Sequence, residues 1–227
     1  MPFRVRTSTA AWVGLLALWA LPAQAQESQS RDDPYFALKL MLGLAGSASG
    51  GASINVNGAT LNGANGAAND NLRPTFGGGV QYMHPLHRYF ALGGVFAIQS
   101  WQSRGGDNAN ASRNLMFDLS VAPQGRLPIG DSVELYVALP FGLSLDYWNE
   151  VAVSTAAVTI KTDPALGFNL SLLAGARFAL SKSAGLLLEL GYTMHTFSHD
   201  VHVEVPNVIS VNAASIDFTL EQLALNF

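Results

Sequence analysis

The last third of the chain holds the residues best suited to chemistry. His195, His199, Asp200 and His202 fall within one short stretch. Imidazoles and carboxylates ligate zinc or copper, and in an extended chain Asp200 and His202 share a face. His195, His199 and His202 are therefore candidate metal ligands, with a spacing that matches no standard zinc motif. His195 and Ser198, with Glu204 beyond, offer the groups of a hydrolase. Three positions apart on a regular strand, the histidine and serine face opposite ways, and no catalytic residue is assigned. A third set of polar groups is scattered among apolar neighbours: Lys39, Asp118, Glu134, Asp146, Arg177 and Glu189. Charges in such surroundings persist only when paired or hydrated.

The elements that position these groups show a period of two. From residue 35 onward bulky apolar side chains alternate with small or polar ones, as in Phe36, Leu38, Leu40, Leu42 and Leu44 against Ala37, Lys39, Met41, Gly43 and Ala45. Such alternation marks a strand between two different environments. Seven further segments follow, near 75–83, 89–101, 114–122, 133–147, 168–178, 186–195 and 215–227. The connections alternate in length. Long ones cover about 46–74, 102–113, 148–165 and 197–214, and short ones cover 84–88, 123–132 and 181–184. Outer-membrane barrels combine long external loops with short periplasmic turns in this way, and an even strand count returns both termini to the periplasm. The reading is one domain, 35–227: an all-β, eight-stranded antiparallel up-and-down transmembrane β-barrel.

Side-chain bulk sets the orientation. Eight strands enclose room for modest side chains only, so rings of Leu and Phe overfill the lumen while Gly, Ala, Ser and a few charges fit. The apolar parity must then face lipid. Aromatics near both segment ends, among them Tyr82, Phe90, Phe178 and Phe227 at one end and Trp101, Tyr147, Trp148 and Phe168 at the other, match interfacial belts. Lys39, Asp118, Glu134, Asp146, Arg177 and Glu189 all take the inward parity. An interior charge network of Lys39, Arg177, Glu134, Glu189 and Glu221 is expected, acting as a polar plug. Pro140 lies inside the fifth segment, where a closed sheet has no edge to excuse its missing N–H, so a bulge or tilt is expected. In the last segment a bulge near Glu221–Gln222 is expected to turn Phe218 and Leu220 toward lipid.

Composition agrees. Charged residues make up 12% of the chain, about half the share in soluble domains. Arg4 and Arg6, the apolar stretch 10–21 and Ala23-Gln24-Ala25 form a signal peptide with cleavage after Ala25. Its apolar core of about 12 residues falls short of the roughly 20 a spanning helix needs. Residues 1–25 are thus read as the leader and 26–34 as a periplasmic lead-in. The chain has no cysteine, which removes disulfides, thiolate sites and a lipoprotein anchor. Its net charge is −4 and no basic stripe suggests nucleic acid.

The Ala-Gln-Ala signal, the eight alternating segments and the terminal Leu223-Ala224-Leu225-Asn226-Phe227 resemble the small outer-membrane barrels of the OmpA/OmpX and OmpW-like kind. The resemblance implies an insertion signal at Leu223, Leu225 and Phe227 read by the barrel assembly machinery, a setting of outer-membrane lipid and lipopolysaccharide in the Gram-negative envelope, a monomer, and no cofactor. It implies a structural or surface-interaction role. Two alternatives stay open. One is a narrow passage for small hydrophobic solutes, as in OmpW-type barrels, lined by the Gly-rich second and third segments. The other is a lipid A-modifying hydrolase, although deacylase barrels of this kind space their His and Ser two apart rather than three.

Overall fold

Period-two alternation becomes strand throughout the computed structural model, which describes residues 33–56, 59–62, 70–102, 114–129, 132–147, 151–153, 158–180, 185–204 and 211–227, with the side chains of 52–71, 151–162, 201–214 and 216 outside that description. The signal segment 1–25 and residues 26–32 of the lead-in also lie outside it. In chain order the strands are β1 (Tyr35–Val56), β2 (Ala59–Asn62), β3 (Asp70–Asn71), β4 (Thr75–His87), β5 (Phe90–Trp101), β6 (Asn114–Ile129), β7 (Val133–Ala138), β8 (Phe141–Tyr147), β9 (Val151–Val153), β10 (Val158–Thr162), β11 (Ala165–Ala179), β12 (Gly185–Glu204) and β13 (Val211–Asn226).

Antiparallel pairings run from β1 through β4, β5 and β6 to β7 and β8, then through β11, β12 and β13 back to β1. The four short strands extend this ring: β2 and β3 pair with β1, β10 pairs with β12, and β9 pairs with β10.

The expectation of eight continuous staves closing a regular barrel is corrected. Among the described residues nine antiparallel strands make up the ring, and it is not a regular closed barrel, because the fifth position is shared by β7 and β8. Pro140 is the physical reason. It has no N–H to give to a ladder, and the chain leaves strand conformation at Leu139–Pro140. The break is bridged by single backbone bonds, Leu139 N–H to the Pro123 carbonyl at 3.0 Å and Ser171 N–H to the Pro140 carbonyl at 2.8 Å. Further irregularities fall between Gly43 and Ala45, Pro85 and His87, and Val201 and Val203.

Side chains sort by bulk. Phe36, Leu38, Leu119, Leu166, Leu172 and Leu186 point outward and are exposed, while Lys39, Asp118, Glu134, Asp146 and Glu189 on the opposite parity are buried. The core therefore lies inside the ring. Toward the termini it gathers Tyr35, Met83, Ala91, Val95 and Ala122. Toward the long connections it gathers Leu72, Trp101, Met116, Phe197, Phe218 and Leu220.

Candidate functional site: the polar interior

The interior is braced at three levels by side chains that reach past their neighbouring strands. Nearest the termini, Lys39 on β1 donates to both carboxylate oxygens of Glu189 on β12, at 2.8 and 2.7 Å. Glu189 also accepts from Tyr136 Oη at 2.8 Å and Asn226 Nδ2 at 2.9 Å. Tyr136 fits because Gly175 stands opposite it on β11: a Cβ there would collide with the Tyr136 ring. Beside this group, Arg126 Nη2 contacts Glu134 Oε2 at 2.5 Å, and Arg177 Nη2 approaches the same oxygen at 3.5 Å. The Arg177 guanidinium lies 4.5 Å above the Tyr35 ring, within cation–π range.

The middle level is a neutral chain of amides and hydroxyls ending on one carboxylate. Thr75 donates to Gln222 at 2.9 Å, Gln222 to Gln99 at 3.0 Å, and Gln99 to Asp118 at 3.1 Å. Gly43 leaves space for the first link, since a Cβ there would collide with Thr75 Oγ1 and Gln222 Oε1. Asp118 also accepts from the Ser144 hydroxyl, and His195 Nε2 lies 3.3 Å from its Oδ2. Asn169 joins in by donating to Ser144 at 2.9 Å and accepting from Ser120 at 2.7 Å.

Toward the long connections the interior becomes aromatic. Trp101 Nε1 donates to Asp146 Oδ1 at 2.9 Å, and His199 Nε2 lies 3.2 Å from Asp146 Oδ2. The other imidazole nitrogen of His199 is 3.0 Å from the Asp163 carbonyl. His199 stacks on Phe218 at 5.2 Å, and Phe218 touches Trp101 and Phe197 at 5.7 and 5.3 Å.

Several expected residues stand elsewhere than the sequence suggested. Glu221 is on the outward parity of β13, hydrogen-bonded to Tyr192, and does not join Lys39, Glu134, Arg177 and Glu189. No bulge occurs at Glu221–Gln222: the β12–β13 register is continuous from Asn226 to Ala214, and Phe218 and Leu220 are buried inside. The irregularity falls on the neighbouring strand, at Gly43–Ala45. Trp101 is an interior residue rather than a member of the outer belt. His195 and His199 face inward to separate carboxylates. The His202 side chain lies outside the described residues. Among those described, no three His, Cys, Asp or Glu side chains gather as a metal site. Ser198 faces outward while His195 is buried, so they cannot act as a hydrolytic pair.

Arg126 is the site residue the sequence reading missed. Pro123, Gly125 and Pro128 mark a turn, yet Leu127 and Ile129 continue the outward parity and place Gln124 and Arg126 inward. That alternation was the available signal.

Substituting Gly175 with alanine is expected to destabilise the fold by about 1–3 kcal/mol, the usual cost of overpacking. The urea midpoint of the refolded chain in detergent measures it, and removing the ring with Tyr136→Ala in the same chain should leave the added methyl harmless. An unshifted Gly175→Ala midpoint would show that Tyr136 does not occupy that space.

Bulky apolar side chains outside a strand ring and hydrogen-bonded polar ones within define a β-barrel-like protein of the outer membrane. The chain belongs to the outer membrane protein beta-barrel domain family, whose model matches residues 13–223. Among solved structures it is similar to the outer membrane protein OprG from Pseudomonas aeruginosa, at 13% identity over 84% of this chain and 95% of that one, with a TM-score of 0.49. It is also similar to Neisserial surface protein A, at 11% identity over 85% and 97% with a TM-score of 0.37. A third is Ail, the attachment invasion locus protein of Yersinia pestis, at 11% over 84% and 98% with a TM-score of 0.31. No curated protein matches the sequence.

Proposed function

We propose that this outer-membrane protein spans the bilayer with its termini in the periplasm and serves a structural or surface-interaction role, its interior held shut by polar cross-bracing. Lys39, Glu134, Arg126, Arg177 and Glu189 act as a fixed plug. The supporting observation is that side chains from non-adjacent strands meet at three levels, with Gly43 and Gly175 accommodating the groups that meet. Leu223, Leu225 and Phe227 form the insertion signal, and the leader is removed after Ala25.

Two measurements test this. Purified mature chain in planar bilayers is expected to give conductance no higher than protein-free membranes; stable unitary steps, or uptake of small hydrophobic solutes into vesicles, would replace the plug with a passage. Amino-terminal sequencing of the chain recovered from outer membranes is expected to begin at Gln26. A chain still starting at Met1 would contradict leader removal.

A further inference from the structure

One sector of the outer wall differs from the rest. On β6, β8 and β11 the outward parity is apolar up to the long connections, with Phe117, Leu143, Leu145, Leu166 and Phe168. On β12, β13 and β1 it turns to hydroxyls and a carboxylate. The register aligns Ser49 with Thr219, Thr219 with Thr196 and Thr196 with Phe168 in one row, and Gly51, Asp217 and Ser198 in the next. These rows line a shallow depression of about 770 Å³ on the outside of the ring. Phe197 and Phe218, whose rings pack in the aromatic interior, also contribute to its lining.

Three features define its ligand. Along the same strands, on the side toward the termini, Leu223, Leu190 and Tyr192 return the wall to apolar and exposed. A lipid whose chains lie on that wall places its head group in the depression. Asp217 and the nearby outward Glu221 disfavour a phosphate there, because like charges repel at short range. Hydroxyl side chains beside a carboxylate suit a ligand that presents many hydroxyls, since O–H donors to a carboxylate form strong charge-assisted bonds. The exposed Phe168 ring supplies an apolar face for one side of a sugar ring.

We propose that this depression binds the sugar head group of an outer-leaflet glycolipid, with Asp217 accepting its hydroxyls and Phe168 covering its apolar face; the proposal rests on the membrane-spanning reading above. The test uses the full mature chain in phosphatidylcholine nanodiscs, titrated with galactosyl diacylglycerol or with diacylglycerol of the same chains. Saturable binding of the galactosyl lipid alone is expected. Asp217→Ala should weaken it about tenfold, as for loss of one hydrogen bond to a charged group. Phe168→Ala should weaken it too, and Leu119→Ala on β6, away from the depression, should leave it unchanged. Equal binding of both lipids, or binding untouched by Asp217→Ala, would overturn the sugar site. A chain that does not enter the nanodisc at all would instead overturn the membrane-spanning reading, and with it this one.

Discussion

Replacing Glu189 with alanine is expected to cost about 3–5 kcal/mol, the penalty for leaving a buried charge without its partner. Glu189 accepts from Lys39, Tyr136 and Asn226 together, and its side chain and that of Lys39 are 0% and 2% exposed. Its removal strands an ammonium, a phenol and an amide inside the ring. Urea unfolding of the chain in lipid vesicles measures the loss. The double change Lys39→Met with Glu189→Leu should recover part of it, because a buried ion pair replaced by apolar groups of similar size is often neutral, while Tyr136 and Asn226 still lack their acceptor. A Glu189→Ala chain as stable as the parent would mean that water, rather than protein, solvates Lys39.

Leu119→Arg is expected to destabilise by about 2–4 kcal/mol in a bilayer, the cost of a basic side chain at the lipid midplane. Leu119 is 64% exposed and lies between Phe96 on β5 and Leu143 on β8, both exposed. In a protein whose outer wall met water, the same change would fall within about 0.5 kcal/mol. The magnitude therefore separates the two settings. Comparing Leu119→Arg with Leu119→Ala in vesicles of fixed composition isolates the charge from the lost side-chain volume.

Parity was legible because it depends on bulk and on a period of two, both local properties. Lys39, Asp118, Glu134, Asp146, Arg177 and Glu189 could be placed on the inward side from their neighbours alone. Partner choice was not legible. Trp101 and Asp146 lie 45 positions apart and Lys39 and Glu189 lie 150 apart, so no local pattern joins them. An aromatic near a strand end fits an interfacial belt as well as an interior brace, and only the Asp146 carboxylate on the far side of β6 decides for Trp101.

Proline misled in both directions. At Pro123 and Pro128 it argued for a turn where β6 continues, which hid Arg126. At Pro140 it argued for a bulge in one strand where the strand divides into two. On β13, alternation counted from Phe227 places Glu221 outward, as observed; the expected bulge rested on assuming that Phe218 and Leu220 need lipid, when the aromatic end of the interior takes them instead.

The central claim is that successive residues of one strand meet lipid and a filled interior in turn. The chain contains no cysteine, so single changes Leu119→Cys, Ser120→Cys, Val121→Cys and Ala122→Cys on β6 allow one spin label each in vesicles. Oxygen dissolved in the lipid is expected to relax the labels at 119 and 121 strongly and those at 120 and 122 weakly. Uniform relaxation, or stronger access of a water-soluble nickel reagent at 119 and 121, would contradict it.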